Sequence, residues 1–124
     1  MLPALFFLLV MGFAAAAQAP LDGRSYAIQL YENELPAERD TLSFRNGQLH
    51  FATARKYGFA PATYQFRSKA NRITGSALHR SKLNGTMLWN FTVVADSIYG
   101  LADFDNRVEN PIRYRFSGKE LHAR

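Results

Sequence analysis

Alternation of large apolar residues with other residues is the feature that most limits how this chain can fold. The longest run is TMLWNFTVV, residues 86–94, in which Met87, Trp89, Phe91 and Val93 stand at every second position. A period of two places these side chains on one face of a β-strand. Shorter runs with the same period lie within residues 26–30, 42–44, 49–51, 64–66, 73–77, 98–104 and 112–116.

Turn-forming residues separate these runs. Asn46-Gly47, Asn84-Gly85 and the stretch from Asn106 to Pro111 are examples, and no run after residue 20 has a helical period. Short strands at this spacing indicate a barrel or a small sandwich. We favour the barrel, because closure removes unpaired strand edges. The predicted fold is all-β: a single antiparallel meander of about eight strands, closed as a small barrel, over residues 21–121.

A repeated motif refines this prediction. ANRITGSA, residues 70–77, and ADSIYGLA, residues 95–102, share Ala, Ile, Gly and Ala at the same four positions. Aligning residues 61–80 with 86–105 gives two β-hairpins, with tight turns at Ala70-Asn71 and Ala95-Asp96. The register then places aromatic residues opposite small ones, with all of them facing the interior: Tyr64 with Ala77, Phe66 with Gly75, Trp89 with Ala102 and Phe91 with Gly100.

The repeat has two interpretations. In the first it is a packing device, because large side chains on one strand fill the space beside small ones on the next. In the second the small residues leave a slot, and the protein carries a small apolar ligand there. The predicted apolar pocket then consists of Tyr64, Gly75, Trp89 and Gly100.

The first 17 residues predict export. They contain no charged side chain and end in a run of alanines, which is typical of a signal peptide cleaved after Ala17 or Ala19. The apolar run is shorter than the ~20 residues that a membrane-spanning helix needs, so no integral span is expected after cleavage. The chain has no cysteine, and a disulfide-free exported domain fits a bacterial periplasm or a secreted bacterial protein.

Four segments carry a resemblance to known proteins. LDGRSYAI, KYGF, GTMLWNFTVVADSIYG and PIRYRFSGKE, in this order, resemble a group of uncharacterised small exported bacterial proteins. The resemblance implies a lipocalin-like antiparallel barrel and export, and it supplies no catalytic residue. Members of the group often have a cysteine where this chain has Ala54, so no thiol chemistry is expected.

No recognisable catalytic or metal-binding motif occurs in the chain, and no cofactor is predicted. His50, His79 and His122 are not at ligand spacing from one another. A hydrolase-type pair of His79 and Asp103 is the remaining enzymatic alternative. Asp103 and Asp105 are also placed to approach Glu34 or Glu38 across the barrel mouth. We expect a protein that binds rather than catalyses.

The charge distribution suggests a partner. The net charge is +5, and residues 41–95 contain no Asp or Glu. In a meander, successive turns alternate between the two ends, so one end gathers basic residues against Asp22, Asp96 and Glu120. The leading hypothesis is that this cationic rim binds an anionic lipid, a lipopolysaccharide phosphate or an acidic protein, and not nucleic acid. The rim comprises Arg24, Arg45, Arg67, Lys69, Arg72 and Lys119.

Four apolar residues have the outward parity on the repeated hairpins. Leu78, Leu88, Tyr99 and Leu101 lie on neighbouring strands. Contiguous apolar side chains on an outer face mark a candidate interface. Self-association, or binding of a protein partner, is therefore a further expectation.

Overall fold

Eight strands pair in sequence order and close into a barrel in the computed structural model, which describes residues 19–122. The strands are β1 Ser25–Glu32, β2 Leu35–Arg45, β3 Gln48–Phe51, β4 Ala62–Lys69, β5 Arg72–Ser81, β6 Gly85–Val94, β7 Ser97–Asp105 and β8 Ile112–Leu121. All neighbours are antiparallel, and β8 closes the barrel on β1. The predicted all-β meander is confirmed, whereas the predicted signal segment lies outside the described residues.

The turns divide the barrel into two ends. The lower end carries the turns Asn46–Gly47, Ala70–Asn71 and Ala95–Asp96. The upper end carries the β1–β2, β5–β6 and β7–β8 turns, together with a 3-10 helix at Ala52–Tyr57 between β3 and β4. β3 and β4 share only two residue pairs, so the 3-10 helix and the residues after it complete the wall between them.

The repeated motif forms two hairpins with the predicted turns and register. Ala70 and Ala95 each adopt a left-handed φ, of 56° and 54°, which a two-residue hairpin turn requires at its first position. Tyr64 pairs with Ala77 and Phe66 with Gly75, as Trp89 does with Ala102 and Phe91 with Gly100.

The lower half of the interior is filled with aromatic rings. Phe44 is fully buried and contacts Tyr26, Tyr64 and Phe91, with ring centroids 6.1, 4.9 and 5.3 Å away. These edge-to-face contacts are favourable for aromatic pairs. The fully buried Leu21 packs into the same core, and the backbone amide of Gly23 donates to the carbonyl of Phe44 at 2.7 Å. The residues before β1 therefore close the lower end.

Phe66 does not face the core as predicted. Its parity is inward, but 39% of its surface is exposed, because β4 extends beyond the filled part of the barrel at the lower end. A Cβ on Gly75 would instead lie 2.6 Å from Cζ of Phe91. The ring that covers Gly75 thus comes from β6, on the other side of β5 from Phe66.

Candidate functional site

A cavity of about 220 Å³ occupies the upper end of the barrel. Six strands and the segment containing the 3-10 helix contribute to its wall. Its polar residues are Glu38, Asp40 and Thr53. The rest of the wall is aromatic or aliphatic and consists of Leu30, Phe51, Tyr57, Phe59, Met87, Trp89, Phe104 and Tyr114.

Trp89 is the most buried aromatic residue of this wall, with 1% of its surface exposed. The alternation on β6 turns it inward, opposite the small residue Ala102. Its ring packs against Phe51 and Phe116, at centroid distances of 5.4 and 5.2 Å. The indole Nε1 has no hydrogen-bond acceptor among the described residues. Because buried indole N–H groups usually have a partner, the unpaired Nε1 of Trp89 is an exception.

The segment KYGF supplies two further wall residues. Gly58 has a φ of 77°, a left-handed conformation that ends the 3-10 helix and lets Tyr57 and Phe59 both reach the cavity. The carbonyl of Tyr57 accepts hydrogen bonds from Oγ of Ser81 at 2.9 Å and from Nδ2 of Asn84 at 2.7 Å. These contacts fix the segment to the β5–β6 turn.

Two carboxylates occupy the polar side of the wall. Asp40 Oδ1 accepts from the backbone amides of Thr41 and Thr53, and Oδ2 accepts from the Thr53 hydroxyl at 2.6 Å. Glu38 is exposed, and its Oε2 lies 3.5 Å from the Tyr57 hydroxyl. One carboxylate is therefore held rigidly inside the cavity, while the other lies at its opening to solvent.

The phenol of Tyr114 has a raised pKa. Burial raises the pKa of its phenol, and the negative charges of Glu32 and Glu38 raise it further. The phenol therefore stays protonated at neutral pH and remains a hydrogen-bond donor. Tyr114 therefore lies close enough to Glu32 and Glu38 for their charges to act on its phenol.

The structure separates the residues of the predicted apolar pocket. Trp89 lines the cavity, whereas Tyr64, Gly75 and Gly100 do not. Tyr64 belongs to the filled lower half, where its hydroxyl donates to Oδ1 of Asp22 at 2.9 Å. Sequence reasoning missed Tyr57, Phe59, Glu38 and Asp40 as cavity residues, although the KYGF motif was visible.

The predicted pair of His79 and Asp103 is not formed. Both oxygens of Asp103 accept hydrogen bonds from Arg113 on the outer wall, at 2.7 and 3.0 Å. His79 is 1% exposed, and its Nδ1 donates to the carbonyl of Ala60 at 3.0 Å. Burial lowers the pKa of His79, so the imidazole is neutral, and its unprotonated Nε2 has no donor among the described residues. The two side chains of the hydrolase-type alternative are therefore not placed to act together.

The six rim residues differ in their surroundings. Arg24 pairs with Glu120 at 2.9 Å and Lys119 with Asp96 at 3.6 Å. Arg45 lines a groove with His50 and Arg55 that reaches the buried His79. Arg67, Lys69 and Arg72 are exposed on the β4–β5 hairpin and form no ion pair within residues 19–122. We call these last three residues the basic hairpin tip.

The four apolar residues of the outer wall form a loose group. Leu78 pairs directly with Leu88 across β5 and β6, and Leu78 is 39% exposed. Tyr99 and Leu101 follow on β7, where they pair with Thr92 and Asn90. Leu88 and Leu101 are only half-buried, so the group remains accessible to solvent.

Comparison with family models, with curated proteins and with solved structures finds no match. The described part of the chain contains no group of three or more His, Cys, Asp or Glu side chains arranged to hold a metal ion. Among residues 19–122, no helix has the length and apolar character needed to cross a membrane.

Proposed function

We propose that this protein is an exported binding protein that carries a small apolar ligand in the upper cavity. The observation that carries the proposal is the cavity wall, in which aromatic and aliphatic side chains surround Trp89. Concave, mainly apolar sites with a few polar groups are the usual form of small-molecule sites. Trp89, whose Nε1 has no acceptor among the described residues, belongs to this wall.

The size of the cavity limits the ligand. Drug-sized ligands occupy sites of roughly 300–1,000 Å³, whereas an apolar cavity of about 150 Å³ is large enough for benzene. A cavity of about 220 Å³ therefore suits a single aromatic ring with a short chain, or a short aliphatic chain. Retinoids, haem and long fatty acids are too large for it.

Trp89 makes this proposal testable, because it is the only tryptophan in the chain. We expect phenethyl alcohol to change the emission of Trp89 in a saturable way, with a dissociation constant in the micromolar to millimolar range. Leu30→Phe places a ring in the cavity and should weaken binding by about tenfold or more. Fluorescence titration of both proteins measures the effect.

Leu78→Phe is the matched control, because it makes the same change on the outer wall. This variant should bind as the wild type does, and urea unfolding should show that both variants are folded. Trp89 emission that does not change when the ligand is added, or equal affinity of wild type and Leu30→Phe for the ligand, would contradict the proposal.

A second candidate function rests on the basic hairpin tip. Arg67, Lys69 and Arg72 have no acidic partner among the described residues, and the exposed ring of Phe66 lies on the same hairpin. Exposed cations beside an aromatic side chain suit the phosphates of an anionic envelope surface. In this proposal the hairpin brings the barrel to an anionic lipid or to lipopolysaccharide.

Vesicle binding tests the second candidate. The protein should be retained on anionic vesicles at low salt and released at moderate salt, since exposed charges are screened over about 10 Å at 0.1 M salt. Arg67→Gln/Arg72→Gln should lose most of the binding. Arg113→Gln/Arg115→Gln removes two arginines that already pair with Asp103 and Glu34, so it should bind normally. Retention that is independent of salt, or an equal loss of vesicle binding in both double variants, would rule out the basic hairpin tip as the binding site.

A further inference from the structure

Every charged side chain in the cavity wall is acidic. Glu38 and Asp40 line the cavity, and no Lys, Arg or His does. These two charges attract a cationic ligand group and repel an anionic one, and the effect is stronger where less water separates the charges. The sign of the charge in this wall therefore discriminates between ligands with the same apolar part.

Two acidic residues at the upper end outside the cavity are neutralised, in contrast to the two in the cavity. Asp103 pairs with Arg113 at 2.7 Å, and Glu34 pairs with Arg115 at 3.0 Å. Neither Glu38 nor Asp40 takes part in an ion pair within residues 19–122. Asp103 and Glu34 thus have cationic partners, whereas Glu38 and Asp40 have none within the described residues.

The contacts of Asp40 hold its carboxylate in place without cancelling its charge. All three donors come from Thr41 and Thr53, which are uncharged. Oδ2 accepts only the Thr53 hydroxyl, so one of its lone pairs is still free to accept a hydrogen bond. Asp40 is therefore a preorganised acceptor for a donor that enters the cavity.

We propose that the ligand is a small amphipathic amine, whose ammonium group lies between Glu38 and Asp40 and whose apolar part lies against Phe51, Phe59 and Trp89. The inference rests on the proposed function, because it names the ligand class of the same cavity. A charged donor to a carboxylate makes a stronger hydrogen bond than a neutral one. The amine would supply the positive charge that this wall lacks.

Aromatic rings near the carboxylates add to the preference for a cation. Tyr57 and Tyr114 line the cavity on its polar side, and ring faces attract cations within about 6 Å of their centroids. One face of the Tyr57 ring is already taken by a cation of the protein, since Nζ of Lys56 lies 5.4 Å from its centroid, so Tyr114 is the ring without such a contact among the described residues. Lys56 does not line the cavity, so it leaves the two carboxylates available to a ligand.

Three ligands with a common phenyl ring test the inference: phenethylamine, phenethyl alcohol and phenylacetate. Titration of Trp89 fluorescence at neutral pH should give the tightest binding for the amine, intermediate binding for the alcohol and the weakest for the carboxylate. The amine should bind at least about tenfold more tightly than phenylacetate, which corresponds to about 1.4 kcal/mol. The alcohol has the same ring and no charge, so it reports on binding without the ionic contribution.

Substitutions of Glu38 and Asp40 test whether their carboxylates cause the preference for the amine. Glu38→Gln should weaken amine binding roughly two- to fivefold, the range for an exposed ion pair, and leave alcohol binding unchanged. Adding Asp40→Asn should abolish the difference between amine and alcohol. Glu34→Gln is the matched control, because Glu34 lies at the same end but pairs with Arg115; it should keep the full preference.

The outcomes separate this inference from the proposed function. Equal affinities for the three ligands, or tighter binding of phenylacetate, would overturn the amine inference and keep the cavity as a binding site. Failure of all three to bind would overturn both. A preference that survives in Glu38→Gln/Asp40→Asn would also contradict the inference, because the charge would then lie elsewhere.

Discussion

Phe44→Ala is expected to lower the free energy of unfolding by about 3–5 kcal/mol, the range for removing a fully buried phenylalanine ring. Phe44 has no exposed surface and contacts the rings of Tyr26, Tyr64 and Phe91. These neighbours lie on three other strands, so they cannot move together to fill the cavity that the substitution leaves. Urea unfolding, followed by Trp89 emission and by circular dichroism, measures the loss.

Phe104→Ala is the comparison for the upper half of the barrel. Phe104 is only half-buried, and its ring borders a cavity that already exists. Its removal should cost less than half as much as the removal of Phe44. Equal costs for the two variants would mean that the two halves of the interior are packed alike, and the cavity could not then be a preformed site.

Gly100→Val is expected to lower the free energy of unfolding by about 1–3 kcal/mol, as overpacking of a tight interior does. A Cβ at Gly100 would collide with the carbonyl oxygen of Asn90 and lie 3.0 Å from Cα of Phe91. Both contacts are with the backbone of β6, which moves only if the β6–β7 pairing is distorted. Each kcal/mol should lower the melting temperature by roughly 4–8 °C in a domain of this size.

Thr92→Ser provides the control, because Thr92 lies on the outer side of β6 and pairs with Tyr99. It should cost well under 1 kcal/mol. Ligand binding by Gly100→Val should also persist below its melting temperature, since Gly100 does not line the cavity. A Gly100→Val protein that melts like the wild type but no longer binds would instead place Gly100 in the binding site.

The strands and their pairing were predictable from the sequence because both depend on local chemistry. A period of two identifies a strand with one buried face, and residues such as Asn71 and Asp96 mark where it turns back. Once a two-residue turn is located, the opposite residues follow by counting, so the pairing of Phe91 with Gly100 needed no further information. Alternation also predicted correctly that Trp89 is buried inside the barrel.

The position of a side chain along the barrel axis, and hence whether it lies within the packed interior, was not predictable in the same way. Tyr64 and Phe66 have the same parity on β4, yet one is buried and the other is 39% exposed. Parity distinguishes inside from outside, but it does not show where the packed interior ends. Nor does parity reveal that Leu21, which lies before β1, is part of the core.

The candidate site was decided by contacts between residues distant in the sequence. The cavity brings Glu38 and Asp40 of β2 together with Trp89 of β6 and Tyr114 of β8, and no short segment contains this combination. The sequence by itself determined an alternating chain with basic residues concentrated in its middle. Only the tertiary structure decided which acids are neutralised, because an ion pair depends on distances across the closed barrel, as between Arg115 and Glu34, and spacing along the chain does not reveal those distances.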